Sequence, residues 1–155
     1  MQLYLLRHAD ADTIAEIDDE RRLSSKGIEQ ARRVARFCEA HEISTSIVLS
    51  SPVRRAHETA LIVSEHLRAE LLVAPWLACG MSPETAIGEL GAFRTENSVM
   101  IVGPEPDFST LVAHLLGVPS NSQIHIRKAS LTSLDVMSLR PAGARLDFSL
   151  PCRLM

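Results

Sequence analysis

The chain has 155 residues, of which 46% are hydrophobic and 23% charged, and its formal net charge is −3. A chain of this length and balance reads as one folded domain spanning residues 1–155, with enough buried surface to hold together without disulfide staples. The negative balance gives no global pull toward nucleic acid or an anionic membrane, so any affinity for phosphate has to come from cations placed locally.

The first predicted element is a strand over residues 2–7. Its apolar run Leu3-Tyr4-Leu5-Leu6 suits burial on both faces of a parallel sheet. The run ends on Arg7-His8-Ala9-Asp10, which puts a cation and an imidazole at the strand's C-terminal edge. Residues 9–23 are polar, and Asp18-Asp19-Glu20-Arg21-Arg22 reads as a solvated loop rather than a functional lid. Ser24 or Ser25 caps a helix reaching about residue 40, with Ile28, Ala31, Val34, Ala35 and Cys38 on its apolar stripe.

Residues 46–50 form a second strand. Ser51-Pro52 is read as opening the next helix, which runs to about Arg68, because proline suits a first helical turn. Leu71-Leu72-Val73 reads as a short strand and residues 75–81 as loop, with Trp76 and Leu77 as packing residues. A helix follows from Ser82-Pro83-Glu84 to about Phe93. Residues 98–103 are the third clear strand. Pro104-Glu105-Pro106-Asp107 then turns into a helix stopped by Gly117-Val118-Pro119. In the last quarter, Ile124-His125-Ile126, Leu131 to Met137 and Arg145 to Phe148 alternate like strands.

Strands alternating with helices predict an α/β fold, a three-layer sandwich with a mostly parallel central sheet flanked by helices. No apolar run approaches the ~18 residues of a membrane-spanning helix. The N-terminus does not carry a basic segment followed by a long apolar one, so no signal peptide is expected. Cys38, Cys79 and Cys152 are an odd set without metal-ligand spacing, which suits reduced thiols in a cytoplasmic protein.

Three strand ends carry the chemistry: Arg7-His8, the segment Ser50 to Ala60, and Val102 to Asp107. Open α/β sheets bring such ends to one crevice. Together these segments resemble the histidine phosphatase superfamily (phosphoglycerate mutase-like), in particular its small SixA-type phosphohistidine phosphatase branch. Arg7-His8 matches the family's Arg-His motif. Leu23-Ser24-Ser25-Lys26-Gly27 matches its Leu-Ser-X-Lys-Gly helix start. Ser50 to Ala60 matches Ser-Ser-Pro-X-X-Arg-Ala-X-X-Thr-Ala, with Arg55 in the functional arginine slot. Gly103, Glu105, Pro106 and Asp107 match a late Gly-His-Glu-Pro-Asp motif. The departure is Pro104, which stands where family members carry a second histidine.

The resemblance implies that His8 is the nucleophile, forming a phosphohistidine intermediate that water hydrolyses. It implies that Arg7 and Arg55 clamp the phosphoryl oxygens, a task that suits the planar, permanently charged guanidinium. Ser51 is either a further phosphate ligand or a cap for the helix after it. Pro104 supplies neither a side-chain donor nor a backbone N–H. Loss of one such ligand costs ~10²–10³ in rate by analogy with oxyanion-hole deletions, so a weakened phosphatase is expected.

Asp10, Glu84, Glu105 and Asp107 are the candidate acids, with Asp10 first among them as nearest the nucleophile in sequence, although a structural or loop role is favoured for it, and the last two more suited to capping a helix. Arg54 reads as a solvated helix residue. His57, His66 and His114 lie on predicted helices and His125 on a predicted strand, and His57 is the one to inspect for proximity to Arg55.

The expected activity is therefore removal of phosphate from a phosphohistidine-containing protein, such as a histidine phosphotransfer domain. No metal or other cofactor is needed, and phosphate or a similar oxyanion binds in the site. The alternatives are a catalytically dead phosphate- or phosphoprotein-binding module, favoured by Pro104, and a small-molecule phosphomonoesterase.

Overall fold

The computed structural model describes residues 1–155. A six-stranded sheet carries the fold in the order β3-β2-β4-β1-β5-β6. Its strands are β1 (Gln2–Arg7), β2 (Ile47–Ser50), β3 (Glu70–Val73), β4 (Ser98–Gly103), β5 (Leu131–Val136) and β6 (Ala144–Leu150). The pairs β3–β2, β2–β4 and β4–β1 are parallel, whereas β5 runs antiparallel to β1 and β6 antiparallel to β5. The sheet is thus mixed, with the parallel part where the sequence places its apolar runs.

Four helices, α1 (Ser25–Ala40), α2 (Arg54–Leu67), α3 (Pro83–Leu90) and α4 (Asp107–Leu116), cover the two faces. Strand alternation divides the core between them. Leu3, Leu5, Val99 and Ile101 pack with Leu90, Phe108, Leu111 and Leu115 from α3 and α4. Leu6, Met100 and Val102 face the other way, onto Ala31, Val34 and Cys38 of α1 and Ala56, Ala60 and Val63 of α2. No helix is long and apolar enough to cross a membrane.

Two local expectations are corrected. Pro52 does not sit in a helix: α2 starts at Arg54, and Val53 stands at its N-cap without a side-chain cap. The reason is that the Ser51 N–H still donates to the Val102 carbonyl at 2.8 Å, so the chain remains extended for longer than the proline suggests. Ile124-His125-Ile126 is not a strand but an irregular segment after a short 3-10 turn at Asn121–Gln123. Its alternation reflects Ile126 buried in the core and His125 exposed. The free edge of β1 that it would need is already paired with Leu131–Asp135 of β5.

The start of α1 follows the sequence closely. The Ser24 hydroxyl accepts from the Gly27 N–H at 3.0 Å and caps α1. Gly27 is glycine because a Cβ there would lie 1.9 Å from the Asp10 carbonyl oxygen. The first turn of α1 is thereby pressed against the segment that follows β1.

Candidate active site

The C-terminal edges of β1, β2 and β4 meet at one place. The β1–β4 register pairs Arg7 with Gly103, so His8 and Pro104 leave the sheet side by side. The His8 N–H donates to the Gly103 carbonyl at 3.1 Å, which fixes the chain just before the proline. Thr59, fully buried on α2, ties the second segment to the first. Its hydroxyl accepts from the Ala9 N–H at 3.1 Å and donates to the Arg55 carbonyl at 2.7 Å.

This framework brings His8 and Arg55 into contact. The His8 ring is 5% exposed, and its Nδ1 lies 2.8 Å from the Ala9 carbonyl oxygen. A carbonyl only accepts, so Nδ1 carries the proton and Nε2 keeps its lone pair. The Arg55 Nε–H points at that lone pair from 3.3 Å. Burial pushes the His8 pKa down to about 4, the Ala9 hydrogen bond opposes the shift, and the charges of Arg55, Arg7 and Lys128 reinforce it. The imidazole is therefore neutral at pH 7, with Nδ1 held as donor and the Nε2 lone pair accepting a long hydrogen bond from Arg55, which must give way before Nε2 can attack as a nucleophile.

Arg7 anchors one guanidinium nitrogen on the Ile126 carbonyl at 2.7 Å, and its buried Nε has no partner. Burial lowers its pKa, and Glu105 works against that shift. Arg55 is almost wholly buried. Its Nη1 donates to the Asp18 carbonyl at 2.8 Å and its Nη2 lies 3.1 Å from the Asp18 carboxylate. The acidic loop is thus not only a solvated run: Asp18 occupies both terminal nitrogens of the Arg55 fork, the ones an oxyanion would take. Arg21 pairs with the other oxygen of the same carboxylate at 3.2 Å.

Asp10 does not have the features of an acid. Its carboxylate accepts from Lys128 Nζ at 2.7 Å and from the Ser24 hydroxyl at 2.8 Å. The Lys128 hydrogen bond, with help from Ser24, holds its pKa below the usual carboxylate range, so it stays ionised and binds the β1–α1 connection together. Asp107 is likewise committed, accepting from the Gly80 and Met81 N–H groups at 2.8 and 3.1 Å. Glu105 differs. One of its oxygens accepts from the Ser109 hydroxyl at 2.7 Å, while the other is buried with no partner. Burial raises its pKa, and the Ser109 hydrogen bond and the Arg7 charge only partly offset this.

Other expected residues are not brought in. Ser51 is fully buried, and its hydroxyl accepts from the Val53 N–H at 3.3 Å, while α2 starts at Arg54 without a side-chain cap. His57 makes no hydrogen bond to Arg55 or His8, and its Nδ1 is buried without a partner. His66 pairs with Glu39. Arg54 pairs with Glu58 on the surface of α2. No three His, Cys, Asp or Glu side chains come together as metal ligands would.

Sequence reading missed the groups beyond Arg7. A cavity of about 460 Å³ opens there, lined among others by Lys26, His125, Arg127, Lys128 and Arg153. The only signal for it was the adjacent pair of cations Arg127-Lys128, directly after the segment Ile124-His125-Ile126 that reads as strand.

Residues 3–78 match the family model of the histidine phosphatase superfamily (branch 1). The phosphohistidine phosphatase SixA of Escherichia coli is 31% identical over 120 residues, covering 74% of this chain and 74% of that protein. A solved structure of the protein histidine phosphatase SixA with tungstate superposes with a TM-score of 0.87 at 24% identity, covering 100% of both chains. The alpha-ribazole phosphatase of Shigella flexneri superposes with a TM-score of 0.82 at 19% identity, over 98% of this chain and 97% of that one.

Proposed function

The chain belongs to the histidine phosphatase superfamily, in its SixA-type branch, and on that premise we propose that it removes phosphate from a phosphorylated histidine on a protein. The observation that carries the reading is the state of His8. Nδ1 donates to the Ala9 carbonyl, the ring is neutral, and Nε2 faces a phosphate-binding cation.

In this reading Nε2 attacks phosphorus in line. The P–N bond to the substrate imidazole breaks as the P–Nε2 bond forms, giving phospho-His8. Water then hydrolyses that intermediate to inorganic phosphate and restores the imidazole. Arg55 and Arg7 bind the phosphoryl oxygens and stabilise the charge that spreads over them in the transition state. Binding requires Arg55 to exchange Asp18 for phosphoryl oxygen. The Ala9 carbonyl supports the positive charge that develops on His8.

Proton supply favours phosphohistidine over a phosphoester. An alkoxide leaving group needs an acid, whereas a substrate imidazole leaves readily once protonated at its other nitrogen. Among the four candidate acids, Glu105, with a raised pKa and an unpartnered oxygen beside Arg7, is the group best able to hold a proton. Pro104 removes one phosphoryl ligand from the ring around the anion and weakens turnover. No metal takes part in this scheme.

A second reading has a specific observation behind it. Pro104 sits beside His8 in the slot of the family's second histidine, which favours a module that holds a phosphoryl group without turning it over. The test is phosphate release from a histidine-phosphorylated phosphotransfer domain by the parent chain, His8→Ala and Pro104→His. We expect slow release by the parent, none by His8→Ala, and a rise of ~10²-fold in Pro104→His. Tight binding without release by the parent, even in excess over substrate, would establish the binding module instead.

A further inference from the structure

The cavity beside Arg7 is not needed to hold the transferred phosphoryl group, yet its charge is extreme. It is lined by Arg7, Lys26, Arg127, Lys128 and Arg153, together with His125, and Asp10 is its one carboxylate. Asp10 is already neutralised by Lys128 at 2.7 Å. Lys26, Arg127 and Arg153 are exposed and have no ion-pair partner, in a chain whose formal net charge is −3. They come from separate parts of the sequence: the first turn of α1, the irregular segment before β5 and the C-terminal turn Cys152–Leu154.

Folding alone does not favour this gathering. Like charges repel, and Lys26 stands in the first turn of α1, where the helix dipole disfavours a cation and the turn itself holds no acidic residue. A group of unpaired cations assembled from three segments at the rim of a phosphate site is the footprint of an anionic partner.

We infer that this cavity is a docking subsite for acidic side chains of the substrate protein that flank its phosphohistidine. The inference rests on the phosphohistidine phosphatase reading above and extends it to the choice of substrate. The walls favour a protein over a small polyanion. The unpaired cations are exposed rather than buried in a fixed cradle, and apart from the His125 ring no aromatic or broad apolar wall is present to hold a base or a sugar. Such charges steer encounter and fix register rather than grip tightly. Arg7 lies in both places, so an acidic side chain in the cavity would sit next to the phosphoryl group held by His8 and Arg55.

The test uses Arg127→Glu and Arg153→Glu, singly and together, since neither residue is part of the phosphoryl-binding set. The substrates are a small phosphoramidate and a histidine-phosphorylated phosphotransfer domain with acidic residues around the phosphohistidine, alongside its charge-neutralised variant. Binding of the phosphorylated domain is also measured with the same changes in a His8→Ala background, which is independent of turnover. The double change should weaken binding of the acidic domain about tenfold at low salt, less at high salt, and little for the neutralised domain. Turnover of the small phosphoramidate and the Tm should stay at the parent's values.

Unchanged affinity for the acidic domain, or an equal loss on the small phosphoramidate, would overturn the docking subsite. Salt-sensitive binding of the acidic domain that the double change abolishes, without phosphate release by the parent, would instead remove the catalytic reading and leave the subsite standing.

Discussion

At the scale of single residues, the site is a contest for Arg55. A carboxylate and a phosphoryl group offer the same pair of oxygens to a guanidinium fork. Asp18 holds that position, but its side chain is 66% exposed, so the contact is screened and weak. Asp18→Asn should therefore tighten inorganic phosphate binding roughly threefold, as measured by calorimetry at fixed ionic strength. Unchanged affinity would mean that the Asp18 backbone carbonyl, which also bonds Arg55, makes the contact that matters. Asp10 shows the same chemistry with another outcome: Lys128 and Ser24 fix its charge and commit it to structure.

At the scale of elements, the site depends on how α1 and α2 are seated against the sheet edge. Ser24 caps α1 through the Gly27 N–H and also donates to the Asp10 carboxylate, so one hydroxyl joins the helix start to the segment after His8. Ser24→Ala should cost ~1–2 kcal/mol in urea unfolding, near the upper end for an N-cap because a charged partner is lost as well. Ser24→Asp should recover less than half of that, since the new carboxylate keeps the cap but faces Asp10. Full recovery would show that the Asp10 contact contributes nothing. Thr59 performs the corresponding task for α2, joining Ala9 to the carbonyl of Arg55.

At the scale of the whole molecule, the buried neutral imidazole couples stability to pH. An unfolded His8 titrates near its ordinary 6.5, whereas the folded ring stays neutral down to about 4. Between those values the unfolded chain binds a proton that the folded chain refuses. Stability from this group therefore falls as pH drops from about 6.5 toward 4, and it is unaffected above 6.5. The loss amounts to roughly 2–3 kcal/mol by pH 4.5. His8→Gln should remove that dependence, so the stability gap between variant and parent at pH 7 should shift in the variant's favour by that amount at pH 4.5. A gap that stays constant with pH would mean that the folded ring titrates normally. Glu105 acts in the opposite direction, because its raised pKa makes the folded chain hold a proton longer as pH rises. It is present in both chains and cancels in the comparison.

What the sequence determined by itself was whatever is encoded by local pattern. Apolar runs, helical spacing and caps fixed β1, β2, β4 and α1 to within a residue or so, and the order of motifs identified the family from Arg7-His8, Ser50 to Ala60 and Gly103 to Asp107. It failed where a residue's role depends on a partner far along the chain. Pro52 looked like a helix start because the ladder bond from Ser51 to Val102 is invisible locally. Ile124–Ile126 looked like a strand because the occupied edge of β1 is invisible too. Asp10 has the structural role favoured for it, but the group that holds its charge, Lys128, lies 118 positions away and is invisible locally. Tertiary structure alone decided these, as it decided that Asp18 meets Arg55 and that Lys26, Arg127 and Arg153 share one cavity. Charge acts through space, and only the folded chain sets the distances over which it acts.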